Sequence, residues 1–251
     1  MASGSTPSAF WPAGIRAALS LTFDDARWSQ TANGFPLFDA HGIKATFFVS
    51  LKLMEQKLDA WRRAIAKGHE IGNHTTTHPC TGNFTFARHN PLEEYTLERM
   101  EQEELLYANA AIEKLLGVRP VTFAYPCGQT FVGRGEQVRS YVPLIAKHFL
   151  AGRGFMGESD NDPAFCDLAQ VLARDGDGAG FEQMKAWLDG AAQQGRWLIL
   201  AGHDIGAGGR QTTLAGELEK LCRYAKDPAN GIWVDTVAAI GGYVRKNRFQ
   251  V

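Results

Sequence analysis

The strongest constraint on this chain's fold is a repeated alternation between short apolar runs and helical segments. Strand-like runs fall at residues 17–23, 45–49, 70–72, 121–125, 148–151, 171–173, 197–200 and 231–234. Helical patterns fall between or after them, at 35–38, 58–67, 90–116, 181–192, 213–225 and 235–244. Alternating strands and helices predict a mainly parallel sheet covered by helices. About seven such units in 251 residues predict an α/β fold, a distorted or incomplete (β/α) barrel. The first run shows the period of a strand: Leu19, Leu21 and Phe23 share one face, and Ser20, Thr22 and Asp24 the other. In barrels of this kind chemistry gathers where strands end. Asp24, Asp25, His74, Cys127 and His203 all stand at such ends. Residues 1–15, rich in Ser, Gly and Pro, read as a loose arm, and 16–251 as one domain.

The sharpest local motif is Asn73-His74-Thr75-Thr76-Thr77-His78-Pro79. Pro79 biases His78 away from helix, so the motif reads as a strand running into a loop. Neutral imidazole is a preferred ligand of zinc and its neighbours. Alone, the pair reads equally well as a polar loop with two solvated histidines. Asp25 adds the carboxylate of a His-His-carboxylate set, which leaves coordination positions for water and substrate. Asp24 is then free to act as general base, and His203 as general acid. Backbone amides around Pro126-Cys127-Gly128 are candidates to meet an oxyanion.

Composition narrows the partners. A formal net charge of -1 gives no field favouring nucleic acid or an anionic membrane. No run of about 18 apolar residues is present, so no membrane span is expected. The first six residues lack the basic end and apolar stretch of a secretory signal. Localisation is therefore secreted or periplasmic if a signal preceded them, and cytoplasmic otherwise. Cys80, Cys127, Cys166 and Cys222 read as buried free thiols. A Cys80–Cys127 bond is the alternative, because both follow a proline beside the suspected site loops. The acidic run at Glu101, Glu103 and Glu104 reads as a solvated helix face, on a helix starting at Asn90-Pro91. Trp28, Phe84, Phe86, Phe131 and Phe155 either stack on sugar rings or pack over the barrel rim.

Three stretches, in order, resemble the successive motifs of polysaccharide deacetylases of the NodB-homology type, carbohydrate esterase family four. They are Thr22-Phe23-Asp24-Asp25, His74-Thr75-Thr76-Thr77-His78 and Leu198-Ile199-Leu200-Ala201-Gly202-His203. The resemblance covers roughly residues 17–205. It implies a distorted (β/α) barrel and a divalent metal, zinc first, with cobalt, nickel or manganese as alternatives. The implied reaction removes acetyl groups from N-acetylglucosamine polymers or acetylated xylan. It implies Asp24 as base, Asp25, His74 and His78 as ligands, His203 as acid, and the Cys127 N–H in the oxyanion hole.

The chain departs from the family pattern in three places. Ala124 stands where the family has a base-orienting arginine, and Arg153 is a candidate to replace it. No Asp-Trp motif is evident, which leaves Asp167, Asp175 and Asp177 as candidates to tune His203. Two residues rather than one separate Leu200 from His203. Two other functions stay open: a non-catalytic carbohydrate-binding relative with a vestigial metal site, and an amidohydrolase acting on a small metabolite.

Overall fold

The computed structural model describes residues 10–248. Its frame is a curled sheet of parallel strands: β1 (Ala17–Asp24), β2 (Thr46–Val49), β3 (Glu70–Asn73), β4 (Thr122–Ala124), β5 (Ala151–Arg153), β6 (Arg174–Asp175) and β7 (Trp197–Gly202). Their spatial order is β5-β4-β3-β2-β1-β7-β6. The two edges meet at one parallel bridge between Arg153 and Val171, three residues before β6. The result is the incomplete seven-stranded barrel that the alternation predicts. An eighth strand, β8 (Ile232–Val234), pairs with Ala17–Leu19 of β1, below the point where β2 begins.

The period-two pattern of β1 divides the core. Leu19, Leu21 and Phe23 face outward and pack with Phe47, Trp61, Leu188 and Leu221, under the helices Leu58–Ala66, Phe181–Gln194 and Ala215–Lys226. The interior holds Ala18, Phe48, Ala124, Ala151, Trp197 and Ile199. Burying these faces supplies roughly 1.5–3 kcal/mol per large side chain. Helix Val237–Asn247 closes the barrel floor, with Val237, Ile240 and Val244 against Trp197. Its first turn is held from inside the barrel: the Val237 N–H donates to Thr46 Oγ1, and the Ala238 N–H to Glu70 Oε2. Glu70 also accepts from the Thr46 and Thr122 hydroxyls. No helix among the described residues is long and apolar enough to cross a membrane.

Several local expectations change. The loose arm expected over 1–15 is anchored from Phe10 onward, and 1–9 lie outside the described residues. Phe10 and Trp11 are buried, Trp11 stacks on Tyr243, and its indole N–H donates to the Gly195 carbonyl at 2.8 Å. The helix expected from Asn90 begins instead at Leu97, where the Thr96 hydroxyl caps the Arg99 N–H and extended backbone at Tyr95 breaks the run. The segment expected as a strand at 148–151 is the end of helix Val142–His148 followed by β5. Glu104, expected on a solvated face, is buried at 1% exposure.

Glu70→Ala removes the acceptor shared by two threonine hydroxyls and a helix N-terminus. Orphaning three donors in the barrel floor is expected to cost about 3 kcal/mol, and so to lower the thermal midpoint by roughly 6–12 °C. Scanning calorimetry checks this; an unmoved midpoint would remove Glu70 from the floor's support.

Candidate active site

The top of the barrel is where β1, β3, β4, β5 and β7 end, and polar groups gather at these ends, two of them carboxylates at the end of β1. Inward alternation along β1 points Asp24 into the barrel mouth. Strict alternation would send Asp25 outward. The backbone prevents this: Asp25 and Ala26 take left-handed conformations, φ 74° and 60°, which turn the chain at the strand end. Such conformations cost non-glycine residues on the order of 1 kcal/mol each and concentrate at functional sites. The turn is fastened by the Ser50 hydroxyl, which donates to the Asp25 carbonyl at 2.8 Å.

Asp25 Oδ1 lies 3.6 Å from His74 Nε2 and 3.6 Å from His78 Nε2. These separations are too long for hydrogen bonds. They match the spacing of atoms sharing one ion: donors about 2.1 Å from a centre, at tetrahedral angles, stand roughly 3.4 Å apart. All three donor atoms lie within 4.8 Å of one another. The residues therefore fit a divalent metal. His74 Nδ1 is 2.9 Å from the Ala124 carbonyl, which can only accept. In a neutral ring this contact directs the proton to Nδ1 and leaves the Nε2 lone pair available to an ion. Burial, and then the neighbouring His74, push the His78 imidazole down to about 4 against the pull of Asp25, so at neutral pH it too carries a free lone pair.

Asp24 and Arg153 form a buried ion pair. Burial pushes the Asp24 carboxyl up, but Arg153, then His74 and His203, outweigh it and hold it below its ordinary value. Ala124, where the resembled family has arginine, is the register partner of Arg153 across β4 and β5. The guanidinium therefore stands one strand over from Ala124, at the same height. His203, at the end of β7, holds Asp177: Nδ1 is 2.7 Å from Asp177 Oδ2, and the His203 N–H donates to Oδ1 at 3.1 Å. Burial lowers the His203 pKa, but Asp177 and then Asp24 overcome this and raise it above its ordinary value. Of the other two aspartate candidates, Asp167 caps the Ala169 N–H, and Asp175 accepts from the Asp177 N–H.

Cys127 is joined to Cys80 by a disulfide across 47 residues, not a pair of free thiols. It ties the loop after His78 to the turn at Pro126–Gly128 and is worth about 4 kcal/mol by loop-closure entropy. Cys127 is left-handed, φ 53°, as are Thr75 and His78.

Two contributors have no sequence signature. Arg27 donates to Asp25 Oδ2 at 2.9 and 3.1 Å and to Asp204 Oδ2 at 2.9 Å, so it fixes which oxygen of Asp25 faces the imidazoles and links the segments that follow β1 and β7. Glu104 accepts from the Thr76 and Thr77 N–H groups, the Thr77 hydroxyl and the Tyr95 hydroxyl, at 2.6–2.9 Å. It holds the histidine loop from behind. Nothing in an acidic run marks one glutamate as buried. The rim aromatics divide: Phe131 is half-buried against a core cluster, Phe155 stands edge-on to His203 at 5.5 Å, and Trp28, Phe84 and Phe86 stay exposed.

A model of the polysaccharide deacetylase family matches residues 14–140. Among curated proteins, the chain is 30% identical over 154 residues to a gellan lyase of Bacillus sp., covering 61% of this chain and 5% of that protein. It is 32% identical over 122 residues to a peptidoglycan-N-acetylglucosamine deacetylase of Bacillus cereus, covering 49% of this chain and 40% of that protein. The chain thus spans less than half the length of these relatives. Among solved structures, one from Mycobacterium smegmatis assigned to the polysaccharide deacetylases superposes with TM-score 0.68 at 18% identity, covering 97% of this chain and 95% of that one. PuuE allantoinase superposes with TM-score 0.69 at 15% identity, covering 96% and 94%. At these identities the likeness is one of fold.

Glu104→Ala strands two backbone N–H groups and two hydroxyls behind the histidine loop. A loss of about 3 kcal/mol in unfolding free energy is expected. Denaturant titration reads it, and a change under about 0.5 kcal/mol would mean the loop holds its shape without the carboxylate.

Proposed function

The chain belongs to the polysaccharide deacetylase family, and from that premise we propose that it is a metal-dependent hydrolase removing acetyl groups from a carbohydrate. The observation that carries this reading is the convergence of Asp25, His74 and His78 on one point beside Asp24 and His203. When bound there, a divalent ion supplies a more acidic water and a polarised acyl carbonyl; the donors suit zinc first, with cobalt, nickel and manganese as alternatives.

The chain's own residues supply the rest. Asp24, ionised and oriented by Arg153, takes a proton from the attacking water. Arg27 keeps Oδ1 of Asp25 turned toward the two imidazoles. The Cys127 N–H meets the oxyanion as the acyl carbon becomes tetrahedral. His203, its Nδ1–H directed to Asp177, presents Nε2 for proton delivery to the departing amine or alcohol. Acetate and the deacetylated sugar leave. The Cys80–Cys127 disulfide supports an oxidising setting outside the cytoplasm. A purely sugar-binding role would not need a buried base, its arginine and a tuned histidine to be kept together.

Acetate release from N-acetylglucosamine oligomers and acetylated xylan, with and without chelator, tests the reading. Release that stops with chelator and returns with zinc is expected. In Asp24→Asn, turnover is expected to fall at least a hundredfold while metal content by elemental analysis stays at one equivalent. Turnover of small cyclic amides with none from any sugar would shift the substrate to a small metabolite.

The proton inventory gives a pH test. His203 must be protonated to act as acid, and its pKa is raised, so the alkaline limb of kcat lies above pH 6.5. Asp177→Asn removes the raising partner and moves that limb to lower pH. A limb that does not move would free His203 from the acid role.

A further inference from the structure

The second nitrogen of His78 meets sulfur. Its Nε2 lies toward Asp25, and its Nδ1 is 3.6 Å from Cys80 Sγ. A metal-ligating imidazole ordinarily directs its other nitrogen to a carboxylate, carbonyl or water. Here a disulfide sulfur, only a weak acceptor, takes that place. The donor atoms of His78, Cys80 and Cys127 all lie within 4.8 Å of one another, as do those of Asp25, His74 and His78. The molecule thus holds two triads of ligating groups, and His78 belongs to both.

Contacts other than the covalent bond hold each sulfur's loop. The Leu92 N–H donates to the Cys80 carbonyl at 3.0 Å, and the Thr81 N–H to Gln129 Oε1 at 2.8 Å. On the facing turn, the Gly128 and Gln129 N–H groups donate to the Tyr125 and Pro126 carbonyls at 2.9 and 3.0 Å. The Tyr141 hydroxyl donates to the Gln129 carbonyl at 2.7 Å. Gln129 therefore ties the two loops together by hydrogen bonds alone, and the sulfurs stay neighbours once the S–S bond opens. The Cα atoms of Cys80 and Cys127 are 6.2 Å apart. Two thiolates on one tetrahedral zinc stand roughly 3.8 Å apart, which rotation about the Cα–Cβ bonds allows. A nitrogen and a sulfur on such an ion stand roughly 3.6 Å apart. His78 Nδ1 and Cys80 Sγ already have that spacing.

We propose that Cys80, Cys127 and His78 form a second metal site, which takes a soft divalent cation once a dithiol has reduced the disulfide and thereby withdraws His78 from Asp25 and His74. In the reduction a thiolate of the dithiol attacks one sulfur and displaces the other. The dithiol then closes to its own cyclic disulfide, so the protein's S–S bond gains two electrons and two protons. Both thiols release those protons to solvent when the ion binds. Cys80 is buried and Cys127 half-buried, so the reagent enters from the Cys127 side. Two thiolates and an imidazole suit zinc, or cobalt in its place, over magnesium, calcium or manganese. The two sites exclude each other. A neutral imidazole carries one lone pair, and coordination through Nδ1 leaves the ring proton on Nε2, facing Asp25. The first site then keeps only Asp25 and His74. The withdrawal rests on the proposed metal site at Asp25 and not on which sugar is deacetylated.

Cobalt reports the donor set directly, because thiolate ligation adds a strong near-ultraviolet charge-transfer band that nitrogen and oxygen donors lack. Metal-free protein receives cobalt(II) stepwise, before and after reduction by a phosphine, which takes the oxygen of one water and is removed before the metal is added. The oxidised protein is expected to show visible d–d bands alone, and the reduced protein to gain the thiolate band and lose it on reoxidation. Cys166→Ala/Cys222→Ala is expected to keep that behaviour, and Cys80→Ser/Cys127→Ser to show no thiolate band. In reduced His78→Ala the apparent Kd for cobalt at sulfur is expected to rise at least about tenfold, the scale on which a disturbed ligand set loses metal. A reduced wild type without the band overturns the site. So does a band that persists in the double serine variant, or an affinity that His78→Ala leaves unchanged. A second ion that enters the reduced protein with the d–d bands of the first site overturns the withdrawal of His78. Near-ultraviolet circular dichroism of the metal-free samples guards the folded state: a reduced wild type without its folded signal also overturns the site, which needs both loops in place. If the oxidised protein binds no cobalt while the reduced protein shows the band, the deacetylase metal reading falls and the sulfur site stands.

Discussion

A carboxylate pointing into an apolar barrel is the constraint that the upper half of this molecule accommodates. An unpaired buried carboxylate costs several kcal/mol, and a protein escapes that cost by protonating it or pairing it. Here the carboxyl is held below its ordinary value, so pairing is the route taken. Pairing requires a cation at the same height inside the barrel, and Arg153 supplies it from β5. Arg153 is itself completely buried, with its guanidinium 5.0 Å over the Phe48 ring and an Nη1 bond to the Gly154 carbonyl. The pair thus spans the barrel from β1 to β5, four strands away in the sheet. Ala124 beside it is small, as it must be where a neighbouring strand's long side chain crosses. Asp24 thus keeps a buried counter-charge although the nearer strand offers only Ala124 at that height.

The parts of the fold legible in the sequence are those set by local periodicity. β1 shows both its period and its faces, and the order of strand ends carrying polar groups anticipates which residues meet. What was hidden depends on contacts far apart in the chain. Glu104 sits in an acidic helical run, and only the arrival of Thr76 and Thr77 turns it inward. Asp177 could not be told from Asp167 or Asp175, because each stands in a turn where a capping role is equally available; the three differ only in what β7 brings beside them. The helix start at Asn90-Pro91 misled because Asn90 is used elsewhere, donating to the Thr77 and Tyr95 hydroxyls behind the histidine loop. A tertiary partner overrode a local cap signal.

The two ends of the barrel divide strain and support. At the floor, Glu70, Thr46 and Thr122 satisfy one another and the last helix, and the aromatic cluster of Phe10, Trp11, Trp233 and Tyr243 packs alongside. At the top, Asp25, Ala26, Thr75, His78 and Cys127 all hold left-handed backbone without being glycine. Several kcal/mol of unfavourable conformation is thereby concentrated around one point. Gln30 braces it, donating to the carbonyls of both Asp24 and His203 and so joining the ends of β1 and β7.

His74 and His78 are supported in different ways, and the difference explains the elaborate loop. The His74 ring is locked by a carbonyl and almost fully buried. The His78 side chain is 28% exposed, and its Nδ1 faces only the Cys80 sulfur at 3.6 Å, a poor acceptor. No strong hydrogen bond orients that ring. Its position comes from the loop instead, through the His78 N–H on the Thr75 hydroxyl, the three bonds from Thr76 and Thr77 to Glu104 and the disulfide. A ring positioned by its main chain needs a stiff main chain. That is why a buried carboxylate and a cross-link stand behind one half of the histidine pair while a single carbonyl is enough for the other.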